Sequence, residues 1–259
     1  MIYVCVTAKD NATTIGLVLW KVRQVFTEFP REYQLLVADD GSTDATAEVL
    51  ERYQHVLPIT VFRQDGPRGY AASVETLLRA ALERSDRPKR DSAILVPPDF
   101  AISPDAIPAL VKRLESGADV VIAESLDGNE PFGLRLLRRS TPWLLRPGVR
   151  VPGVRDLTSG FLALRLVTLK LALRDRAGAL LESDGICARA ELVARAAAEA
   201  RQIAVVSVPS RPAAGSRTET SALALALQLF RTGRRLRIRA PGGGGPGNGA
   251  KLPGEQATS

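Results

Sequence analysis

Apolar and polar residues fall in blocks along the first half of the chain, and each block has the length and period of one element. Ile2–Thr7 is a short apolar run and reads as a strand, and Thr14–Phe26 carries apolar residues at helical spacing. Gln34–Ala38 reads as a strand, Thr46–Tyr53 as a helix and Ile59–Arg63 as a short strand. Tyr70–Arg84 is helical by the same test, Ala93–Val96 a strand, Asp105–Leu114 a helix and Val120–Ala123 a strand. This strand–helix alternation predicts one α/β domain built on a doubly wound, mostly parallel sheet. From Pro131 to Arg155 the rhythm breaks at Pro142, Pro147 and Pro152. Regular structure is expected again over Gly160–Leu173, with a helix over Ala188–Ala200, a strand over Ile203–Val208 and a last helix over Ser221–Phe230. The expected organisation is a domain over 1–230, a basic segment over 231–240 and a disordered Gly/Pro-rich tail over 241–259.

The second strand runs straight into Asp39-Asp40-Gly41-Ser42-Thr43-Asp44. In open parallel sheets, ligands bind outside the carboxyl ends of the strands, so this turn stands where a ligand would sit. Two adjacent acids suit ribose hydroxyls, a base N–H or a metal, and Gly41 permits close backbone approach. The same residues also serve to cap a helix with surface acids, and on this segment alone both readings stay open.

Composition narrows the chemistry. His55 is the single histidine of the chain, so a Ser-His-Asp hydrolase or a His-rich metal site would have to use that one residue. Cys5 and Cys187 are too few for a disulfide framework, and a metal would take oxygen ligands, as magnesium or manganese does. The net charge of +7 raises nucleic acid as a partner. Against it, the chain has no helix-turn-helix pattern or zinc spacing, and only 5% aromatic residues for base stacking. The basic residues concentrate in Arg135–Arg155 and Arg231–Arg239, a patchiness that suits an anionic membrane surface or a phosphorylated substrate, with a plain solvated surface as the other reading. No stretch approaches the roughly 18 apolar residues of a membrane span, and Met1 leads directly into the first strand, so a cytosolic or cytosol-facing location is expected. The first strand ends in Thr7-Ala8-Lys9-Asp10-Asn11 without the Gly-x-Gly turn of a dinucleotide fold, and no Walker loop is present.

The order of motifs resembles the family-2 glycosyltransferases, most closely the branch of dolichyl-phosphate mannosyltransferase and the bacterial undecaprenyl-phosphate sugar transferases. Asp39–Asp44 matches that family's nucleotide-binding turn, and Gly66-Pro67-Arg68-Gly69-Tyr70-Ala71-Ala72 resembles its glycine-rich approach to the third helix. Pro104-Asp105-Ala106-Ile107-Pro108 resembles the segment after its metal motif, and Val154-Arg155-Asp156-Leu157-Thr158-Ser159-Gly160-Phe161 its acceptor-side loop. Val208-Pro209, Arg211 and Gly215-Ser216-Arg217 resemble its closing loop.

The resemblance implies a GT-A type, Rossmann-like domain over 1–230 that moves a sugar from a nucleotide-sugar donor to an acceptor of the polyprenyl phosphate kind, with inversion. It implies donor contacts from Thr7, Lys9 and Asn11, from Asp39, Asp40, Gly41 and Ser42, and from Gly66, Arg68 and Gly69. Asp99 would hold a magnesium or manganese ion against the diphosphate, and Asp156, Arg211 and Arg217 would line the acceptor phosphate and diphosphate region. Three segments depart from the family pattern. Its Asp-Ala-Asp is Pro97-Pro98-Asp99 here, its Tyr-Asn-Glu is Lys9-Asp10-Asn11, and its Gly-Ser-Arg is Ala123-Glu124-Ser125. An alternative that fits these departures is a degenerate relative that binds a nucleotide sugar or a partner without turnover. The apolar helix ending at Phe230 and the arginines after it read either as a final core-packing helix with a basic, disordered exit, or as a segment that would bring the acceptor loop to lipid headgroups at the cytoplasmic face without a spanning anchor.

Overall fold

The computed structural model describes residues 1–125, 140–145, 148–174, 179–209, 222–236 and 238–239. Its centre is a seven-stranded sheet in the order β3-β2-β1-β4-β7-β5-β8. The strands are β1 (Ile2–Ala8), β2 (Tyr33–Asp39), β3 (Ile59–Arg63), β4 (Ser92–Val96), β5 (Val120–Ser125), β7 (Leu162–Arg165) and β8 (Ile203–Val208). β1 and β4 read as unbroken apolar runs because both of their faces are covered, as central parallel strands require. Along β1, Ile2, Val4 and Val6 enter one core layer while Tyr3 and Cys5 enter the layer on the other face.

The helices supply the two outer layers. In α1 (Ile15–Glu28), Ile15, Val18, Leu19, Val22, Val25 and Phe26 are buried, the i, i+3, i+4 stripe of a helix lying on a sheet. α2 (Thr46–Gln54) and α4 (Ile107–Glu115) join α1 on that face, whereas α3 (Tyr70–Arg84), α5 (Leu166–Arg174) and α6 (Gly185–Glu199) cover the other. α6 is rich in alanine and buries ten of its residues, so it lies close against its neighbours.

Every strand pairing in the sheet is parallel except those of β7, which runs antiparallel between β4 and β5. That inversion has a functional consequence. Leu162 of β7 pairs with Leu95 and Ile122, so the loop before it, residues 156–161, emerges beside the carboxyl ends of β4 and β5. The turns after β1 and β2 open on the same edge of the sheet.

Several elements differ from the sequence expectation. The helix expected from Asp105 divides into a 3-10 turn over Pro104–Ala106 and α4, because Pro104 and Pro108 allow only a stepwise start. Residues expected as one regular stretch over Gly160–Leu173 are a strand, β7, followed at once by α5. The last helix, α7 (Ala222–Leu236), continues six residues past Phe230. Leu225, Leu229 and Gly233 form its buried line, while Arg231, Arg234 and Arg235 are exposed on it. Beyond it, β9 (Ile238–Arg239) pairs with β6 (Val149–Arg150) in a small parallel sheet. The tail over 241–259 lies outside the described residues.

Candidate functional site

The edge formed by the carboxyl ends of β1, β2, β4 and β5 gathers most of the residues singled out in the sequence. At its centre Asp39 is fully enclosed. Its Oδ1 accepts the Ser42 backbone N–H at 3.0 Å, closing the turn, whereas its Oδ2 is buried without a hydrogen-bond partner. The nearest cation is the Nε of Arg63 at 3.8 Å, on a largely exposed side chain at the end of β3. A buried carboxylate oxygen left without a donor is costly, and such an atom marks a place where an incoming N–H or O–H would be favoured. Arg63 was not among the sequence candidates; its register opposite Asp39 follows only from the β2–β3 pairing.

Asp40 has a different environment. Its carboxylate accepts the backbone N–H of Arg68 at 2.7 Å and that of Gly69 at 3.1 Å, so it fastens the 66–69 loop to the turn after β2. Gly41, at φ +65°, lies against this loop: a Cβ there would fall 2.7 Å from the carbonyl carbon of Gly66. The turn and the loop thus form one unit that only a glycine can join. Arg68 itself is exposed, and Ser42 accepts the Asp10 N–H at 3.0 Å.

The segment after β1 is held by the same turn. Thr7 is half-buried in β1 beside Ala38, and Lys9 is exposed, its backbone N–H bound to Asn11 Oδ1 at 2.9 Å. Asp10 accepts the Thr43 N–H at 2.8 Å, and Asn11 donates its backbone N–H to Thr46 Oγ1. Burial alone would raise the Asp44 carboxyl, but hydrogen bonds from Thr46 and Ala12 outweigh it and hold the group below its ordinary value. Asn11 and Asp44 therefore act locally as clasps between the first two turns.

After β4, Pro97 is buried and Asp99 is half-buried. Asp99 Oδ1 accepts the Ala101 N–H at 3.0 Å, leaving Oδ2 as the carboxylate oxygen this segment offers to a cation. Among the described residues no group of three His, Cys, Asp or Glu side chains converges as a metal cluster. One free carboxylate oxygen fits a magnesium or manganese ion that takes its remaining ligands from phosphate and water, and does not fit an ion held by the protein alone.

On the acceptor side Asp156 is buried, and its Oδ1 accepts both the N–H of Thr158 at 2.8 Å and its hydroxyl at 2.6 Å. Ser159 donates its hydroxyl to the Ala123 carbonyl, which ties the loop to β5. Glu124, a departure from the family pattern rather than a sequence candidate, accepts the backbone N–H groups of Arg155 and Asp156 on one oxygen, Oε1. Burial pushes its carboxyl above the ordinary value, and the neighbouring Asp156 adds to the shift, while hydrogen bonds and Arg155 oppose it. Arg211 and Arg217 lie outside the described residues.

Residues 3–169 match the family described as glycosyl transferase family 2. Dolichol-phosphate mannosyltransferase of Pyrococcus furiosus is 28% identical over 141 residues, which covers 51% of this chain and 38% of that protein. Undecaprenyl-phosphate 4-deoxy-4-formamido-L-arabinose transferase of Photorhabdus laumondii is 27% identical over 117 residues, covering 43% of this chain and 33% of that protein. The matched stretch is thus only about a third of the length of either relative, 38% and 33%. Among solved structures, S. aureus TarS 1-349 in complex with UDP has a TM-score of 0.59 at 19% identity, covering 90% of this chain and 64% of that one. Glucosyl-3-phosphoglycerate synthase from Mycobacterium tuberculosis, in complex with Mn2+, UDP and phosphoglyceric acid, has a TM-score of 0.64 at 19% identity, covering 90% and 76%. These likenesses bear out the GT-A type α/β fold.

Proposed function

The chain belongs to glycosyl transferase family 2, and from that premise we propose that it transfers a sugar from a nucleotide-sugar donor to a polyprenyl phosphate, with inversion at the anomeric carbon. The observation that carries this reading is the shared edge: the Asp39–Ser42 turn, with an enclosed carboxylate oxygen awaiting a donor, and the Asp156–Gly160 loop open side by side. The names of the two curated relatives support the lipid phosphate as acceptor.

In this reading a nucleoside N–H or hydroxyl displaces the exposed Arg63 head and satisfies Asp39 Oδ2. Asp40 keeps the Gly66–Gly69 loop in place beside the diphosphate, with Thr7, Lys9 and Asn11 bordering the nucleoside. The acceptor phosphate is already an anion, so its oxygen attacks the anomeric carbon without a general base. The bond from that carbon to the diphosphate breaks, and its electron pair leaves with the nucleoside diphosphate. Asp156 holds the acceptor loop in register, and Arg211 and Arg217 supply positive charge to the phosphates. Asp99 would hold a magnesium or manganese ion, whose chemistry is to neutralise the departing diphosphate.

Calorimetric titration with uridine and guanosine diphosphate sugars, with and without manganese, tests the donor half. Binding is expected, and Asp39→Asn should weaken it by about 10–100-fold, the value of a hydrogen bond to a charged group. A folded sample that binds none of these donors would overturn the transferase reading. A second reading, a non-catalytic binder, is favoured by Pro97-Pro98-Asp99; donor binding with no sugar transfer to undecaprenyl or dolichyl phosphate would select it.

The site would work at the cytoplasmic face, as a peripheral protein. None of the described helices is long and apolar enough to cross a membrane. The outer side of α7 presents Leu227 and Phe230 next to Arg231 and Arg234, an apolar and basic mixture that suits anionic headgroups. Each arginine would contribute about 1 kcal/mol near such a surface. Sedimentation with phosphatidylglycerol vesicles should be salt-sensitive and fall in Arg231→Gln/Arg234→Gln; equal binding of variant and parent would remove α7 as the anchor.

A further inference from the structure

Arg189 sits where the donor and acceptor loops meet, yet none of the family motifs includes it. It lies in the first turns of α6, and its guanidinium reaches across to both sides of the candidate site. On the donor side its Cζ stands 5.1 Å from the ring centre of Tyr70, the residue that opens α3 directly after the Gly66–Gly69 loop. On the acceptor side it lies against Gly160: a Cβ built there, at φ +70°, would be 3.1 Å from Nη1 and 3.2 Å from Cζ. Gly160 therefore leaves the space that the guanidinium fills.

The charge of this arginine is not neutralised within the fold. Its Nε is buried without a hydrogen-bond partner, and no carboxylate among the described residues forms an ion pair with it. Glu191, the acid nearest in sequence, accepts the Arg195 Nε–H at 2.7 Å and the Ser183 N–H at 2.9 Å, and Asp184 directs Oδ1 to the Ala71 N–H at 2.9 Å. Beside the guanidinium is a cavity of about 10 Å3, room for about one water, bordered by Tyr70, Ser159 and Gly160 and otherwise by apolar side chains of the sheet and α6. Arg189 is half-buried, and its enclosed, unpaired Nε favours an anion that can accept from it. At the same edge, 123–125 is Ala-Glu-Ser, where the resemblance implies an arginine.

We infer that Arg189 binds a phosphate oxyanion at the junction of the Gly66–Tyr70 and Asp156–Gly160 loops. The assignment rests on the transferase reading for its place in the reaction, and the oxyanion belongs either to the donor diphosphate or to the acceptor phosphate. Tyr70 holds the guanidinium plane from one side, so that its N–H fork is fixed before the anion arrives.

Two simple probes separate the sources: inorganic pyrophosphate for the donor diphosphate and farnesyl phosphate for the acceptor. By calorimetry, Arg189→Gln should weaken one of them by about 10–100-fold, and Arg189→Lys should recover part of the loss. Loss confined to pyrophosphate assigns the donor; loss confined to farnesyl phosphate assigns the acceptor. Phenylglyoxal labelling of Arg189 in the unaltered protein, read by peptide mass, should fall in the presence of the same probe and needs no variant to fold. Unchanged affinity in folded Arg189→Gln, undiminished labelling, or no binding of either probe by the parent protein would overturn the assignment. Arg189-dependent pyrophosphate binding without nucleotide-sugar binding would keep the anion site and reject the transferase reading. Nucleotide-sugar transfer unaffected by Arg189→Gln would do the reverse.

Discussion

Replacing Asp40 by alanine separates the two acids of the Asp-Asp turn, because their oxygens are used differently. The Asp40 carboxylate accepts two backbone N–H groups, Arg68 at 2.7 Å and Gly69 at 3.1 Å, across a separation of 28 residues or more. Hydrogen bonds to a charged group contribute about 1.5–3 kcal/mol each. Arg68 is exposed, so its freed N–H can turn to water, and the lower end of that range applies to it. The expected loss for Asp40→Ala is therefore about 3–4.5 kcal/mol, which for a domain of this size lowers Tm by about 6–18 °C. Asp39→Asn should change stability little. It removes a buried charge whose Oδ2 has no donor, keeps an acceptor for the Ser42 N–H, and leaves stability within about 1 kcal/mol of the parent. Urea unfolding followed by circular dichroism measures both. An Asp40→Ala variant within about 0.5 kcal/mol of the parent would show that the loop is not fastened by this carboxylate, and the division of labour argued for the two acids would fall with it.

Glu124→Gln removes a charge without removing its hydrogen bonds, since both N–H donors meet the single oxygen Oε1. Because the folded carboxyl is raised above its ordinary 4.5, the parent is relatively most stable below that value and loses that advantage as pH rises through the raised value. Urea midpoints should therefore show Glu124→Gln gaining on the parent as pH climbs from about 4 to 8; a difference independent of pH would refute the shift. Pro97→Asp restores a second acid beside Asp99, and manganese should then raise pyrophosphate affinity by about tenfold or more, a charged contact of about 1.5 kcal/mol. No gain in manganese dependence by calorimetry would mean that this segment does not face the phosphates.

What could be read from the sequence follows the punctuation of the chain. β3, α3 and β8 have the predicted bounds because each apolar pattern is framed by polar or glycine residues, as Gly69 frames Tyr70. β7 and α5 could not be divided, since Phe161-Leu162-Ala163-Leu164-Arg165-Leu166 carries no turn residue and the strand passes directly into the helix. The antiparallel insertion of β7 has no local signature either; it is a choice made by long-range pairing with Leu95 and Ile122. Arginine after Phe230 reads as a basic exit, yet arginine is a good helix former and the burial of Leu229 and Gly233 carries α7 on to Leu236. At the site, Asp39 and Asp40 are equal in the sequence, and only the fold distinguishes an enclosed oxygen without a donor from one that binds a distant loop.

The remaining step concerns charge. The described edge carries the carboxylates of Asp39, Asp99, Glu124 and Asp156, an environment that by itself repels a diphosphate. At an effective dielectric of about 20, a unit charge 4 Å away is worth about 4 kcal/mol, so a glutamate where the resemblance implies an arginine reverses a large local contribution. Glu124 does not point its charge idly, however: Oε1 is committed to the backbone of the acceptor loop, and burial favours its neutral form. The cation on the other side of that same loop is Arg189, whose charge no described carboxylate takes up. In the inferred site the positive charge stands at the start of α6 and not at the end of β5, with the loop between them held by Glu124. A site built in this way keeps a cation for a phosphate although a glutamate stands where the resemblance implies an arginine.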